Sequence, residues 1–290
     1  MNDQASRLTV VGVDGSEDGL RAVRFGAHSA RLLGGDLLLV HAVDDAMLAG
    51  AWGVVYDPEV LQEAGVTANE QARGLALELG LPEAQIRTEV ILGSPGGVLG
   101  RLSEVADLLV VGRRSVSGLE RMFVGSTSVS VVAGARCPVL VISAAAHPGN
   151  VGDHGLVGIG LTTSPGNHEV LRAGFQQAQI LKARVEIVHA LQPPIGLFAP
   201  RLSPSDLDEQ LRFTQGGIEA IAKDVAADFP ETDYEVVVVA DSPINELVTR
   251  SSAYDIMVLG VGDGNIAGFG LGGLLRGLMA HAECPLLIVR

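Results

Sequence analysis

The sequence is written twice. "VVGVDGSEDGLRAVRFGA" in the first half aligns with "GIGLTTSPGNHEVLRAGF" in the second, and "LLLVHAV" with "VEIVHAL", at one offset of 148 residues. The register holds from Val10 to Gly112 without a gap. Gly12 falls on Gly160, Val40-His41-Ala42 on Val188-His189-Ala190, Ser94-Pro95 on Ser242-Pro243 and Asp107 on Asp255. One residue is then dropped, so that Cys137-Pro138 meets Cys284-Pro285. Whatever one half folds into, the other must fold into as well. The join falls in "AAAHPGNVGDHG" (Ala144 to Gly155), a small, polar stretch. Residues 146–154 are read as linker, leaving domains over 1–145 and 155–290.

Each half alternates strand and helix. In the first, Leu8 to Val13 is an unbroken apolar run of the buried, parallel kind. Ser16 is an N-cap for a helix to Leu33. Asp36 to Val40 reads as a strand, and Pro58 to Leu79 as a helix opening on proline. Ile86 to Leu92 is a strand, Pro95 to Ala106 a helix, Leu108 to Val111 a strand, Ser126 to Ala133 a helix and Pro138 to Ile142 the last strand. This alternation predicts an α/β fold: two tandem, doubly wound, five-stranded parallel-sheet domains with helices on both faces.

Composition removes several function classes. The net charge of -14 opposes nucleic acid or an anionic membrane as the main partner. No apolar run is long enough to span a bilayer, and no basic n-region leads into an apolar stretch at the start, so the chain is expected to be cytoplasmic. Cys137 and Cys284 sit at equivalent places in two separate sheets, which favours two buried thiols over a disulfide. The seven histidines show no metal-ligand spacing, and His41 and His189 are expected to be satisfied structural residues. Lys182 and Lys223 are the only lysines. A phosphate loop of the GxxxxGK[ST] type is therefore excluded from the first half.

A phosphate site there must use backbone N–H groups, hydroxyls, a helix N-terminus or arginine. Gly125-Ser126-Thr127-Ser128 supplies the first three at the start of a helix. Arg113 and Arg114 stand at the other end of that loop. If the first and fourth strands are central neighbours, the turns after them share one crevice, and Asp14 faces the glycine–serine loop across it. Asp14 would repel phosphate, so its natural partner is a ribose hydroxyl or an adenine amino group. Ala42 is small enough to let a base edge meet backbone. Plainer readings compete at each position. Gly112 and Gly125 also suit turns, Ser126 suits a helix N-cap, Asp14 suits an Asx-turn, and Arg113 suits a solvated loop charge. Trp52 and Tyr56 lie in a loop that would overhang the crevice.

VGVDGS, "VHAV", "GSP" at Gly93, "ADLLVVG" and the glycine–serine loop ending in CPVLVI together resemble a tandem member of the universal stress protein (UspA) family. That resemblance implies a Rossmann-like, adenine-nucleotide-hydrolase-like fold and a cytoplasmic stress-response protein that binds ATP, with Mg²⁺ arriving on the phosphates. The family's ATP-binding members carry Gly-x2-Gly-x9-Gly-(Ser/Thr). Here Gly112, Gly125 and Ser126 match it, and Ser115 stands where the second glycine would be. Carried over, Gly12, Val13, Asp14 and Ala42 would lie around adenine and ribose. Gly112, Arg114, Ser115, Gly125, Ser126, Thr127 and Ser128 would lie around ribose and phosphates. The family's last strand is commonly a dimer contact, and Pro138 to Ile142 and Pro285 to Val289 are apolar edges of that kind, pairing within or between chains.

The second copy departs from this pattern. Thr162 replaces Asp14, Gly273 replaces Ser126, Leu274-Leu275 replace Thr127-Ser128, and Asp263 enters where Ser115 stood. Its site is expected to be weak or empty for nucleotide. No nucleophile–base pair is visible, which leaves room for slow ATP hydrolysis or autophosphorylation only. The alternatives are a nucleotide-independent dimeric scaffold and an adenylating ligase. The ligase would want an SGGxD-like loop where "VDGSED" stands.

Overall fold

The computed structural model describes residues 7–44, 57–113, 125–143, 146, 153–162, 167–192, 203–261 and 271–290. The chain divides into two compact units, Met1–Pro148 and Gly149–Arg290.

In the first unit the strands are β1 (Leu8–Gly12), β2 (Asp36–Val43), β3 (Ile86–Leu92), β4 (Leu108–Gly112) and β5 (Val139–Ile142). The helices are α1 (Glu17–Leu33), α2 (Pro58–Glu78), α3 (Pro95–Leu102) and α4 (Ser126–Gly134). The strands are parallel in the order β3-β2-β1-β4-β5. Thr9, Val10 and Val11 of β1 are buried, as both faces of a doubly wound sheet require. The second unit repeats this with β6 (Leu156–Gly160), α5 (Asn167–Leu181), β7 (Arg184–Ala190), α6 (Pro204–Ala226), β8 (Tyr234–Val239), α7 (Pro243–Ser251), β9 (Ile256–Gly260), α8 (Gly273–His281) and β10 (Leu286–Val289). Its order is β10-β9-β6-β7-β8, again parallel. The fold class is the one the alternation predicts.

Local chemistry sets the helix positions. Ser16 accepts from the Gly19 N–H and starts α1, and Gly34 ends it in the left-handed conformation at φ 64°. A Cβ on Gly26 would lie 2.3 Å from Val11 Cγ2, so glycine is what lets α1 lie flat on β1. Gly65, Ala68, Asn69, Ala72 and Ala76 give α2 a buried face of mostly small residues. A repeated carboxylate fixes the entry to each central strand pair. Asp107 accepts from the Leu8 N–H at 2.7 Å, and Asp255 accepts from the His154 and Leu156 N–H groups at 3.1 Å each.

Two boundaries differ from the sequence reading by more than one residue. β2 continues to Val43, because His41, Ala42 and Val43 pair with Val90, Ile91 and Leu92 of β3. α3 stops at Leu102, short of Ala106. The Ser103 hydroxyl turns back to the Gly100 carbonyl at 2.6 Å and accepts from the Arg136 N–H, so the last turn is spent on a tertiary tie. Ser126 is the first helical residue of α4 and not its N-cap; Gly125 holds that place, with no side chain capping the helix.

Candidate functional site

β1 and β4 are hydrogen-bonded neighbours, with Val11 opposite Val110. β2 lies on the outer side of β1 and β5 on the outer side of β4, so the chain's direction of winding reverses between β1 and β4. A crevice opens there beyond the carboxyl ends of the strands. It is lined by Gly12 to Asp14, Ser16, Asp18 and Gly19 after β1, by Val40, His41 and Ala42 of β2, by Pro95 and Leu99 of α3, by Val111 and Gly112 of β4, and by Gly125 to Ser128 at the start of α4.

Nine of the sequence-selected residues therefore lie together: Gly12, Val13, Asp14, Ala42, Gly112, Gly125, Ser126, Thr127 and Ser128. Arg114 and Ser115 lie outside the described residues, as do Trp52, Tyr56 and Asp263.

The geometry gives several of these residues a more specific task. Gly112 is needed by its neighbour: a Cβ there would lie 2.4 Å from the Asp18 carbonyl oxygen, so the end of β4 rests directly on the first turn of α1. Gly12 makes room for Leu99, whose Cδ1 lies 2.9 Å from where a Cβ would be. Gly160 meets Leu247 and Leu259 in the second copy, so this glycine belongs to the fold. The Ser128 hydroxyl donates to the Gly112 carbonyl at 3.1 Å and the residue is 3% exposed. Its proton is thus committed to the protein, contrary to its expected donation to phosphate, while its backbone N–H remains one of the first-turn donors.

Backbone donors stand at one wall of the crevice. The N–H groups of Ser126, Thr127 and Ser128 have no intrahelical acceptor by helix geometry, and the helix dipole adds positive potential. At the opposite wall Asp14 Oδ1 accepts from both the backbone N–H and the hydroxyl of Ser16. This is the Asx-turn of the plainer reading, and it orients the exposed carboxylate at the crevice mouth.

Sequence reasoning missed Asp18. It is 6% exposed, lines the crevice, and forms an ion pair with Arg21. Arg113 is also not the solvated charge expected of it. Its backbone N–H donates to the Ile142 carbonyl at 2.8 Å. Burial lowers its pKa, and the nearby Asp18 carboxylate partly offsets that. Neither histidine is fully satisfied. His189 Nδ1 lies 3.0 Å from the Leu161 carbonyl, while its buried Nε2 has no partner. His41 lines the crevice, its ring lies against Gly65 of α2, and its buried Nδ1 has no partner. Among the described residues no group of His, Cys, Asp and Glu could hold a metal ion. Among them, too, no helix is long and apolar enough to cross a membrane.

Two doubly wound parallel α/β units in tandem, the first with a helix N-terminus facing a carboxylate across the switch point, define a duplicated Rossmann-like fold. The model of the universal stress protein family matches residues 7–143 and again 156–290, and the chain belongs to that family. A universal stress protein of Mycobacterium tuberculosis is 26% identical over 294 residues, covering 97% of this chain and 96% of the relative. A second from that organism is 27% identical over 309 residues, covering 100% and 97%. The crystal structure of a universal stress protein from Archaeoglobus fulgidus shares the fold, with a TM-score of 0.68, 16% identity and 99% of each chain covered.

Proposed function

We propose that the first unit, residues 1–145, binds an adenine nucleotide, ATP in the first place, as the sensing element of a cytoplasmic stress-response regulator with little or no turnover. One observation carries this reading: the Asp14 turn and the α4 N-terminus, far apart in sequence, line the same crevice. Adenine and ribose would lie between Asp14 and the backbone of Ala42. The phosphates, with any Mg²⁺ they bring, would lie at Gly125 to Ser128 near Gly112, with Arg114 and Ser115 on the loop between. In the second unit, residues 155–290, Leu274 and Leu275 of α8 replace two hydroxyl-bearing residues, so a phosphate would meet apolar surface there. That unit is proposed to bind no nucleotide triphosphate. Copies of the chain are proposed to pair through their terminal strands.

Isothermal titration with ATP tests the site. Asp14→Ala and Gly125→Val are each expected to weaken binding at least tenfold, about 1.4 kcal/mol. Unchanged affinity in both variants removes the nucleotide reading and leaves the nucleotide-independent scaffold. Light scattering at micromolar concentration tests the pairing, and a monomer would overturn it.

A further inference from the structure

Asp18 is an odd residue to find in an anion site. It is a buried carboxylate lining the same crevice as the α4 cradle. Its backbone carbonyl rests against Gly112, and the Gly112 carbonyl takes the Ser128 hydroxyl. The first turn of α1, the end of β4 and the first turn of α4 therefore meet at one point, with the Asp18 carboxylate beside it. Arg21 is paired to that carboxylate from α1, and the same carboxylate acts electrostatically on Arg113 at the start of the loop leaving β4.

The duplication separates a fold requirement from a site requirement. Three features that serve the fold are kept in both copies: Gly12 with Gly160, Leu99 with Leu247, Asp107 with Asp255. The charged triad is not kept. Gly166 stands for Asp18, Glu169 for Arg21 and Val261 for Arg113, in the copy that has also lost the hydroxyls of the cradle. The three charges and the hydroxyls of the cradle are present together in the first copy and absent together from the second.

We propose that Asp18 is a specificity-determining residue for ligand charge. It is paired with Arg21 in the crevice wall and opposes the phosphates of a bound ligand, and so sets how steeply affinity rises with phosphate number. This rests on the nucleotide reading of the same crevice. The physical basis is repulsion: each added phosphate charge must work against the fixed carboxylate in the crevice wall, and the nearby arginine charges moderate that cost.

The test is a ladder of adenosine, AMP, ADP and ATP titrated into the full-length protein, wild type and variants, at two salt concentrations. Asp18→Asn is expected to raise the ATP-to-adenosine affinity ratio by roughly tenfold, the order of one unit charge acting across a solvent-open crevice, with the gain shrinking at high salt as the phosphates are screened. Arg113→Gln is expected to lower the same ratio. Glu17→Gln is the control: Glu17 is also in the first turn of α1 but is exposed and outside the crevice lining. A ratio unchanged or lowered in Asp18→Asn, or raised equally in Glu17→Gln, overturns the proposal while leaving the nucleotide reading in place. If none of the four ligands binds the wild type, the nucleotide reading itself falls and takes this inference with it. Arg113→Gln keeps the test decisive should Asp18→Asn fail to fold.

Discussion

Replacing Gly112 by alanine tests the meeting of β4, α1 and α4 directly. The added Cβ would lie 2.4 Å from the Asp18 carbonyl oxygen, 2.7 Å from its carbon and 3.2 Å from the Gly19 nitrogen. All three are backbone atoms, so no side chain can rotate away. Ordinary contact begins at 3.4 Å, and the first turn of α1 must therefore retreat from β4 by about 1 Å. Forcing one methyl group into packed structure costs about 1–3 kcal/mol, and a rigid backbone neighbour places this case near the upper end, ~3 kcal/mol. A shift of 1 Å also widens the gap between the Asp14 turn and the start of α4, so under the proposed function ATP affinity should fall with stability. Urea denaturation followed by circular dichroism measures the first quantity, with the two units free to unfold in separate steps. Gly100→Ala is the paired control: a Cβ there meets nothing within 4 Å on helix α3, and it should stabilise by about 0.5–1 kcal/mol. If Gly112→Ala is as stable as Gly100→Ala, the close approach of β4 to α1 is not what that glycine serves.

In the second unit Glu186 accepts from Tyr254 and from Arg250, and Arg250 also bonds Glu246, where the first copy has Leu38, Ala106, Leu102 and Val98. Glu186→Leu alone leaves a buried phenol without its acceptor and removes one of the two carboxylates of a part-buried guanidinium, and should cost about 2–4 kcal/mol. Glu186→Leu with Arg250→Leu and Tyr254→Phe should recover most of that in thermal denaturation, because an apolar cluster serves the same place in the first copy. Burial pushes the thiol of Cys137 up to about 11 and that of Cys284 up to about 12, in each case chiefly by desolvation. The folded-state values lie above the ordinary value of 9.0, so the stability these thiols contribute is complete below pH 9 and is lost as pH rises toward 11 and 12. Denaturation midpoints should fall across that window, and less steeply in a Cys137→Ala, Cys284→Ala variant. At pH 8 neither thiol of the native protein should react with a disulfide reagent before unfolding.

Much of the site was legible because its parts announce themselves locally. Asp14 and Ser16 follow an apolar run, Gly125 to Ser128 form a hydroxyl-rich helix start, and the absence of lysine before residue 182 narrows how phosphate could be held. Asp18 and Leu99 were not legible. Each looks ordinary in its own helix, and each matters only because of a backbone or glycine on another element. Ser128 misled for the same reason. Its hydroxyl type suits a phosphate, but a carbonyl from β4, remote in sequence, lies nearer and takes the proton.

The sequence by itself determined the duplication, the strand–helix alternation, the two α/β units and the contrast between a hydroxyl-bearing and a leucine-bearing loop. Periodicity, capping and repetition are short-range or countable properties, and they survive reading in one dimension. Only the tertiary structure decided that β1 and β4 lie side by side, that Gly112 is a seat for α1, and that a buried carboxylate with two arginines stands at the cradle. Those facts depend on distances between residues remote in the chain, where one carbonyl displaced by about 1 Å changes which group a hydroxyl or a guanidinium can reach.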